Sequence, residues 1–160
     1  MKILMVCLGN ICRSPLAEGI MKHKFEEANL QWQVDSAGTE GFNVGEAPHK
    51  LSIKIANLNN INTSQQQCRK FVKEDMQLFD KIYVMDESNY TDVKRIAGNL
   101  WDASKVDLLL NELPNAENKN IPDPWYGEEK DYHKVYKMID DACAVIVNKF
   151  KNTDLIVVVR

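Results

Sequence analysis

A continuous apolar run, "KILMVC" at residues 2–7, leads straight into Gly9-Asn10 and then into Pro15 at the head of a helical pattern. No other feature constrains the fold as much. A strand without polar alternation must be buried on both faces, which places it in the middle of a sheet covered by helices on two sides. Pro15 suits the first helical position, where a missing N–H goes unnoticed. Behind it Ala17, Ile20, Met21, Phe25 and Ala28 recur at helical spacing, with only Lys24 off the pattern.

The remaining chain repeats this alternation. "WQVDSAG" (32–38) reads as a second strand ending at a turn. Leu51, Ile55 and Leu58 share a helical stripe between Pro48 and the Asn-rich "NLNNINTS". "FDKIYVMD" (79–86) gives a third strand, after which Ser88 is placed to cap a helix over residues 89–98. "KVDLLL" (105–110) is a fourth strand candidate. Residues 111–130 carry three prolines and several turn-formers, a long loop of the kind that is often functional. Tyr132, Val135, Tyr136, Ile139, Ala142, Cys143 and Ile146 mark a long amphipathic final helix.

This order predicts an α/β fold: a single-domain three-layer α-β-α sandwich around a central, twisted, four-stranded parallel sheet. Ligands in such sheets bind beyond the carboxyl ends of the strands, where the loop after the first strand lies. The domain is expected to span 1–151. The tail 152–160, "NTDLIVVVR", looks strand-like, as an edge strand or a loosely ordered segment, and has no assigned role.

At 160 residues one domain can bury a core without disulfides or metals. The net charge of −3, from 20 basic and 23 acidic residues, argues against a nucleic-acid partner. The first apolar run is too short for a secretion signal, and no stretch reaches membrane-spanning length, so a cytoplasmic protein with no membrane partner is expected. In that compartment Cys7, Cys12, Cys68 and Cys143 are expected to be thiols, and a special cysteine is catalytic more often than structural. Cys7 and Cys12 are not a C-x-x-C pair and no histidine pair follows, so neither a metal nor a cofactor is expected. His23, His49 and His133 are expected at the solvent surface, Cys68 and Cys143 in packing roles, and Asp86 and Glu87 in turn and cap duties.

The chemistry concentrates in "VCLGNICRSP", residues 6–15. A loop that curls over a helix N-terminus points several N–H groups into one concavity, and the helix dipole adds positive potential. That is a cradle for a tetrahedral oxyanion. Gly9 and Asn10 tolerate the left-handed angles such a loop needs. Arg13 offers a planar fork for two phosphate oxygens. Cys7 sits at the floor, where a thiolate would be stabilised and placed for in-line attack on phosphorus. In "IPDPWYG" (121–127) Asp123 lies between two prolines that restrict its backbone, and can protonate a leaving oxygen. Trp125 and Tyr126 add flat walls for an aromatic substrate ring.

These residues resemble the low-molecular-weight protein tyrosine phosphatases. The loop "VCLGNICRSPLAE" matches their signature and "DPWYG" their acid loop; "VDSAGT" (34–39) and "CRKFVKEDMQLFDKIYVMDESN" (68–89) extend the similarity over most of residues 1–150. The resemblance implies a metal-independent phosphotyrosine phosphatase working through a cysteinyl-phosphate intermediate. It implies Cys7 as nucleophile, Arg13 as phosphate clamp and Asp123 as acid and then base. Leu8, Gly9, Asn10, Ile11, Cys12 and Ser14 would form the phosphate-binding loop, and Asn10, Ser14 and Ser36 a network that keeps it curled. Cys12 would be the second thiol of a reversible disulfide with Cys7. Trp125 and Tyr126 would form one substrate wall, with Phe42 in the loop opposite. The expected partners are a phosphotyrosine protein or peptide, with inorganic phosphate and other oxyanions as product or inhibitors, and the expected state a monomer or weak dimer.

One position departs from the pattern. Where many members carry Ser-His before x-Ala-Arg, this chain reads "QQQCR", so Gln66 must supply the support a histidine gives there or the loop is looser. Three rivals fit less well. A P-loop nucleotide hydrolase needs G-x-x-x-x-G-K-[ST], whose lysine is missing. A related arsenate reductase needs two further cysteines close together, whereas Cys68 and Cys143 are far apart in the chain. A non-catalytic anion-binding or redox-sensing module would more naturally lack Cys7 or Asp123. Bacterial arginine phosphatases of the same fold, a fourth rival, tend to carry Thr where this loop has Ile11.

Overall fold

The computed structural model describes the backbone of residues 1–158 and the side chains of residues 1–151. Strands β1 (Lys2–Cys7), β2 (Gln33–Gly38), β3 (Lys81–Val84) and β4 (Val106–Leu108) form one parallel sheet in the order β2-β1-β3-β4. Helices α1 (Arg13–Glu27), α2 (Lys50–Leu58), α3 (Asp75–Leu78), α4 (Glu87–Ala97) and α5 (Glu129–Val158) connect and cover it.

The unbroken apolar run of β1 is explained by its central place. Ile3, Met5 and Cys7 face a core shared with Leu16, Ile20 and Met21 of α1 and Val135, Ile139 and Ile146 of α5. Leu4 and Val6 face the opposite core, with Val93 and Ala97 of α4 and Met76 of α3. Alternate residues of one strand therefore hold both helical layers, the three-layer sandwich expected. In the register, Cys7 pairs with Gly38, so the ends of β1 and β2 are level where the functional loop begins.

Four local features differ from expectation. The apolar segment 105–110 pairs only over Val106–Leu108, because β3 ends at Val84; Leu109 and Leu110 then enter the core from a 3-10 turn, Leu109–Glu112. Helix α4 is capped not by Ser88 but by Asp86, which takes up the cap duty expected of it; its carboxylate accepts from the Asn89 amide at 2.8 Å. The four-residue α3 lies in a segment without a clear periodic signal. Residues 152–158 continue α5 where a strand-like tail was expected: helical bonding propagates from the preceding amphipathic turns, and β-branched residues tolerate a helix at modest cost. Residues 159 and 160 lie outside the described residues.

Candidate active site

Residues 8–12 connect β1 to α1, and their carbonyls are tied outward. The Leu8 carbonyl accepts from the Glu40 amide (2.8 Å), that of Asn10 from the Cys68 thiol (2.7 Å), that of Ile11 from the His49 amide (2.7 Å) and that of Cys12 from the Ser52 hydroxyl (2.9 Å). In a trans peptide the C=O and the following N–H point in opposite directions, so each outward anchor turns an amide toward the concave side. The amides so turned are available as donors to an anion.

Two residues make the curl possible. Asn10 adopts φ 57°, the left-handed angle expected there. Gly9, expected to share that role, has no positive φ; its missing side chain instead leaves room for Asn43, whose Nδ2 would lie 3.2 Å from a Cβ. The tighter requirement is at Gly38, where a Cβ would stand 2.8 Å from the Leu8 carbonyl and 2.9 Å from the Asn10 nitrogen.

Beneath the loop, Asn10 Nδ2 donates to Ser14 Oγ (2.8 Å) and to Ser36 Oγ (2.9 Å), while Asn10 Oδ1 accepts from the Arg69 amide at 2.9 Å. Ser14 Oγ lies 3.0 Å from Cys7 Sγ. Arg13 is buried to 2% exposure. Its Nη1 donates to Asp86 Oδ2 at 2.6 Å and to the Ile121 carbonyl at 3.0 Å, and its Nη2 lies 3.5 Å from Asp123 Oδ2. Burial works against the Arg13 charge, but Cys7, Asp86 and Asp123 around it outweigh that and hold its pKa above the ordinary value. Asp123 also accepts from the Trp125 amide at 3.1 Å, which fixes its orientation on the acid loop.

These groups meet in one cavity of about 320 Å³ lined by Cys7, Arg13, Asp123, Phe42, Trp125 and Tyr126 among others. Phe42 and Tyr126 stand 76% and 96% exposed on its rim, so the aromatic groups form the mouth and the polar loop the floor. The cavity thus brings Cys7, Arg13 and Asp123 together with Leu8, Gly9, Ile11 and Cys12 of the loop and the three aromatic residues, while Asn10 and Ser14 do not line it.

Gln66 behaves differently from expectation. Its Nε2 donates to the Pro15 carbonyl at 3.1 Å, and its buried Oε1 has no partner among the described residues. It braces the first turn of α1 and makes no bond to Asn10, Ser14 or Ser36; the group bound to Ser36 is Glu18 (2.8 Å). His49, expected at the surface, is half-buried: its ring stacks on Tyr132 and meets the edge of Trp125, and its Nδ1 caps α2 through the Leu51 amide. Burial lowers its pKa, and Lys50 adds to this. Burial also raises the thiols: Cys12 to about 12, where the Tyr132 hydroxyl at 3.4 Å partly offsets it, and Cys68 to about 11. Cys143 packs in the core, as expected, whereas Cys68 adds its bond to the Asn10 carbonyl.

Asp86, Glu18, Arg69 and Gly38 join the site without having been expected in it from the sequence. Only Asp86 carries a usable signal: a buried arginine in the cradle demands a nearby carboxylate.

A parallel α/β sandwich that holds a cysteine and a buried arginine under a curled anion loop at the end of its first strand is a cysteine-based phosphate-handling domain. The family model for low molecular weight phosphotyrosine protein phosphatases matches residues 2–157, and the chain belongs to that family. It is 38% identical over 148 residues to the low molecular weight protein-tyrosine-phosphatase PtpA of Staphylococcus aureus, covering 91% of each chain. Among solved structures it resembles a protein tyrosine phosphatase from Entamoeba histolytica (TM-score 0.88, 31% identity, 96% of this chain and 99% of that one). It also resembles a Drosophila arginine phosphatase (TM-score 0.87, 33% identity, 94% and 98%).

Proposed function

We propose that the chain hydrolyses phosphotyrosine in proteins or peptides through a cysteinyl-phosphate intermediate. The observation that carries this reading is the convergence of Cys7, Arg13 and Asp123 on one cavity with an aromatic mouth. The Cys7 sulfur attacks phosphorus while the loop amides and Arg13 hold the non-bridging oxygens. As the bond from phosphorus to the phenolic oxygen breaks, Asp123 gives that oxygen its proton. A water molecule then attacks the phosphocysteine, Asp123 takes a proton from it, and inorganic phosphate leaves with Cys7 restored.

The aromatic rim favours a flat aryl group over the flexible chain of a phosphoarginine, and Ile11 adds apolar surface at the floor. Cys12, a free thiol that lines the same cavity as Cys7, supports a redox-sensitive site. Peroxide would oxidise Cys7 to a sulfenic acid, and the Cys12 thiol would displace water from it to form a disulfide. Among the described residues no helix is long and apolar enough to cross a membrane, and four free cysteines agree with the reducing cytoplasm.

The test is turnover of a phosphotyrosine peptide, a phosphoarginine peptide and an aryl phosphate in EDTA, by the wild type and Cys7→Ser. Turnover of the two aryl esters that Cys7→Ser abolishes is expected. Preference for the phosphoarginine peptide would overturn the substrate assignment, and activity surviving in Cys7→Ser would overturn the mechanism.

A further inference from the structure

The polar network under the loop does not end at Ser36. Its hydrogen bonds have a direction set by how many protons each group can give. The Arg69 amide fixes Asn10 Oδ1 as an acceptor, so Asn10 Nδ2 faces the two serines and supplies one N–H to each. Ser14 and Ser36 then each have one hydroxyl proton left. Ser14 can direct its proton to Cys7 Sγ at 3.0 Å, the Ala37 carbonyl being the longer alternative at 3.4 Å. Ser36 directs its proton to Glu18 Oε1 at 2.8 Å. Glu18 is therefore the terminal acceptor of a chain that runs Cys7–Ser14–Asn10–Ser36–Glu18.

Glu18 is an unusual terminus, because the groups facing it give it little reason to be charged. On its own helix the nearest cation is Lys22, exposed to solvent. From β2 comes Asp35, a second carboxylate held on the same residue: Ser36 gives its hydroxyl to Glu18 and its amide to Asp35, each at 2.8 Å. Asp35 already accepts from the Ser36 amide (2.8 Å) and from Arg69 Nε (3.0 Å), so Asp35 is the acceptor of this pair and Glu18 its donor. From the segment after α2 comes Gln66, a neutral amide. His23 and Glu26 share the polar cavity beside Glu18, about 430 Å³ in volume, through which a proton can exchange with solvent.

We propose that Glu18 and Asp35 share one proton, and that this carboxyl–carboxylate pair is the outer anchor of the Cys7 cradle, with Glu18 a positioning residue for the nucleophile. In the protonated pair, Glu18 accepts from Ser36 through one oxygen and donates to Asp35 through the other, so every link of the chain is satisfied. Loss of the proton sets two carboxylates side by side with no donor between them. Their repulsion acts on Ser36 and, through Asn10, on Ser14 and the loop. Burial, the largest cause, together with Asp35 raises the Glu18 carboxyl to about 7, against the opposing pulls of Ser36 and Lys22. The transition thus falls where a cell's pH can reach it.

The inference rests on the reading of Cys7 as nucleophile but is tested without turnover. In ¹³C-labelled wild-type protein the Glu18 carboxyl resonance, assigned by its loss in Glu18→Gln, is followed against pH. In parallel, iodoacetamide alkylation of Cys7 is scored by peptide mass in wild type, Glu18→Gln and Glu18→Ala. The expected results are a Glu18 midpoint near 7 and an inflection near that pH in the wild-type alkylation profile. Glu18→Gln, which copies the protonated carboxyl's hydrogen bonds, should lose that inflection, and Glu18→Ala should change the rate several-fold on both sides of it. A Glu18 midpoint at the ordinary value of 4.5 would overturn the shared proton. Alkylation profiles that superimpose for all three proteins would overturn the positioning role. Neither readout depends on which phosphate ester the enzyme takes.

Discussion

Arg13 Nη1 lies 2.6 Å from Asp86 Oδ2, and the other oxygen of the same carboxylate accepts the Asn89 amide that opens α4. One side chain therefore caps a helix and holds the Arg13 guanidinium in place. The pair is stiff because Arg13 is buried and its Nη1 is held a second time by the Ile121 carbonyl.

Removing that carboxylate leaves a buried guanidinium with less compensation, a change worth about 3 kcal/mol or more of stability. Asp86→Ala should suffer this and the loss of the cap, a further ~1 kcal/mol, whereas Asp86→Asn keeps a capping oxygen. Both should lower kcat/KM by on the order of 10²-fold, since a clamp displaced by about 1 Å misplaces the phosphate. Urea denaturation and steady-state kinetics on the two variants check this; equal stabilities would remove the cap from the account.

Gly38 faces the loop from the end of β2, where any Cβ would meet backbone and not a movable side chain. Gly38→Ala must push the turn at Leu8–Asn10 away from the sheet. We expect a cost of about 1–3 kcal/mol from overpacking, and a loss of activity larger than that figure suggests because the displaced segment belongs to the loop proposed to hold the anion. The loss should appear in phosphate inhibition as well as in turnover, because product and substrate use the same amides. Unchanged phosphate affinity in a folded Gly38→Ala protein would refute this account of the loop.

Much of this architecture is legible in the sequence because its signals are local. The unalternating β1, the helical pattern around Pro15, which stands third in α1 and not first as expected because the helix already begins at Arg13, and the stripe of α5 each follow from one segment's own pattern. The same holds for Cys7, Asn10 and Arg13, which sit together in the chain as well as in space. Asp86 and Gly38 are different: each matters only because parallel pairing brings the ends of β3 and β2 beside the end of β1. Gln66 is legible as a departure, yet its bond to Pro15 depends on where the segment after α2 packs against α1. His49 reads as a surface residue because Glu46 and Lys50 stand near it in sequence; its neighbours in space are Trp125 and Tyr132.

Asp123 stands at the mouth with one oxygen toward Arg13 and the other on the Trp125 amide. Asp123→Asn keeps that shape and removes the transferable proton. Losses from removing a general acid are typically about 10²–10⁴-fold. The loss should be greater for phenyl phosphate, whose leaving oxygen needs a proton, than for p-nitrophenyl phosphate, whose leaving group departs more readily as an anion. Equal losses on the two substrates would show that Asp123 acts by holding Arg13 and not by proton transfer.

The Glu18 carboxyl also carries a signature in stability. Its folded-state value of about 7 lies above the ordinary 4.5, so the fold prefers the protonated form. The stabilisation is fully present below the unfolded value and is lost as pH rises through the folded one. The window is therefore pH 4.5 to 7, with stability falling as pH rises. The full effect is on the order of 3 kcal/mol, since a tenfold change in proton affinity between folded and unfolded chain is worth about 1.4 kcal/mol. Glu18→Gln cannot ionise, so its stability relative to wild type should climb across this window and level off above it. Urea midpoints of the two proteins measured from pH 4 to pH 8 read the effect of the Glu18–Asp35 pair as a unit, because the titrating groups outside it are common to both. Parallel curves would mean that Glu18 ionises in the fold as freely as in the unfolded chain.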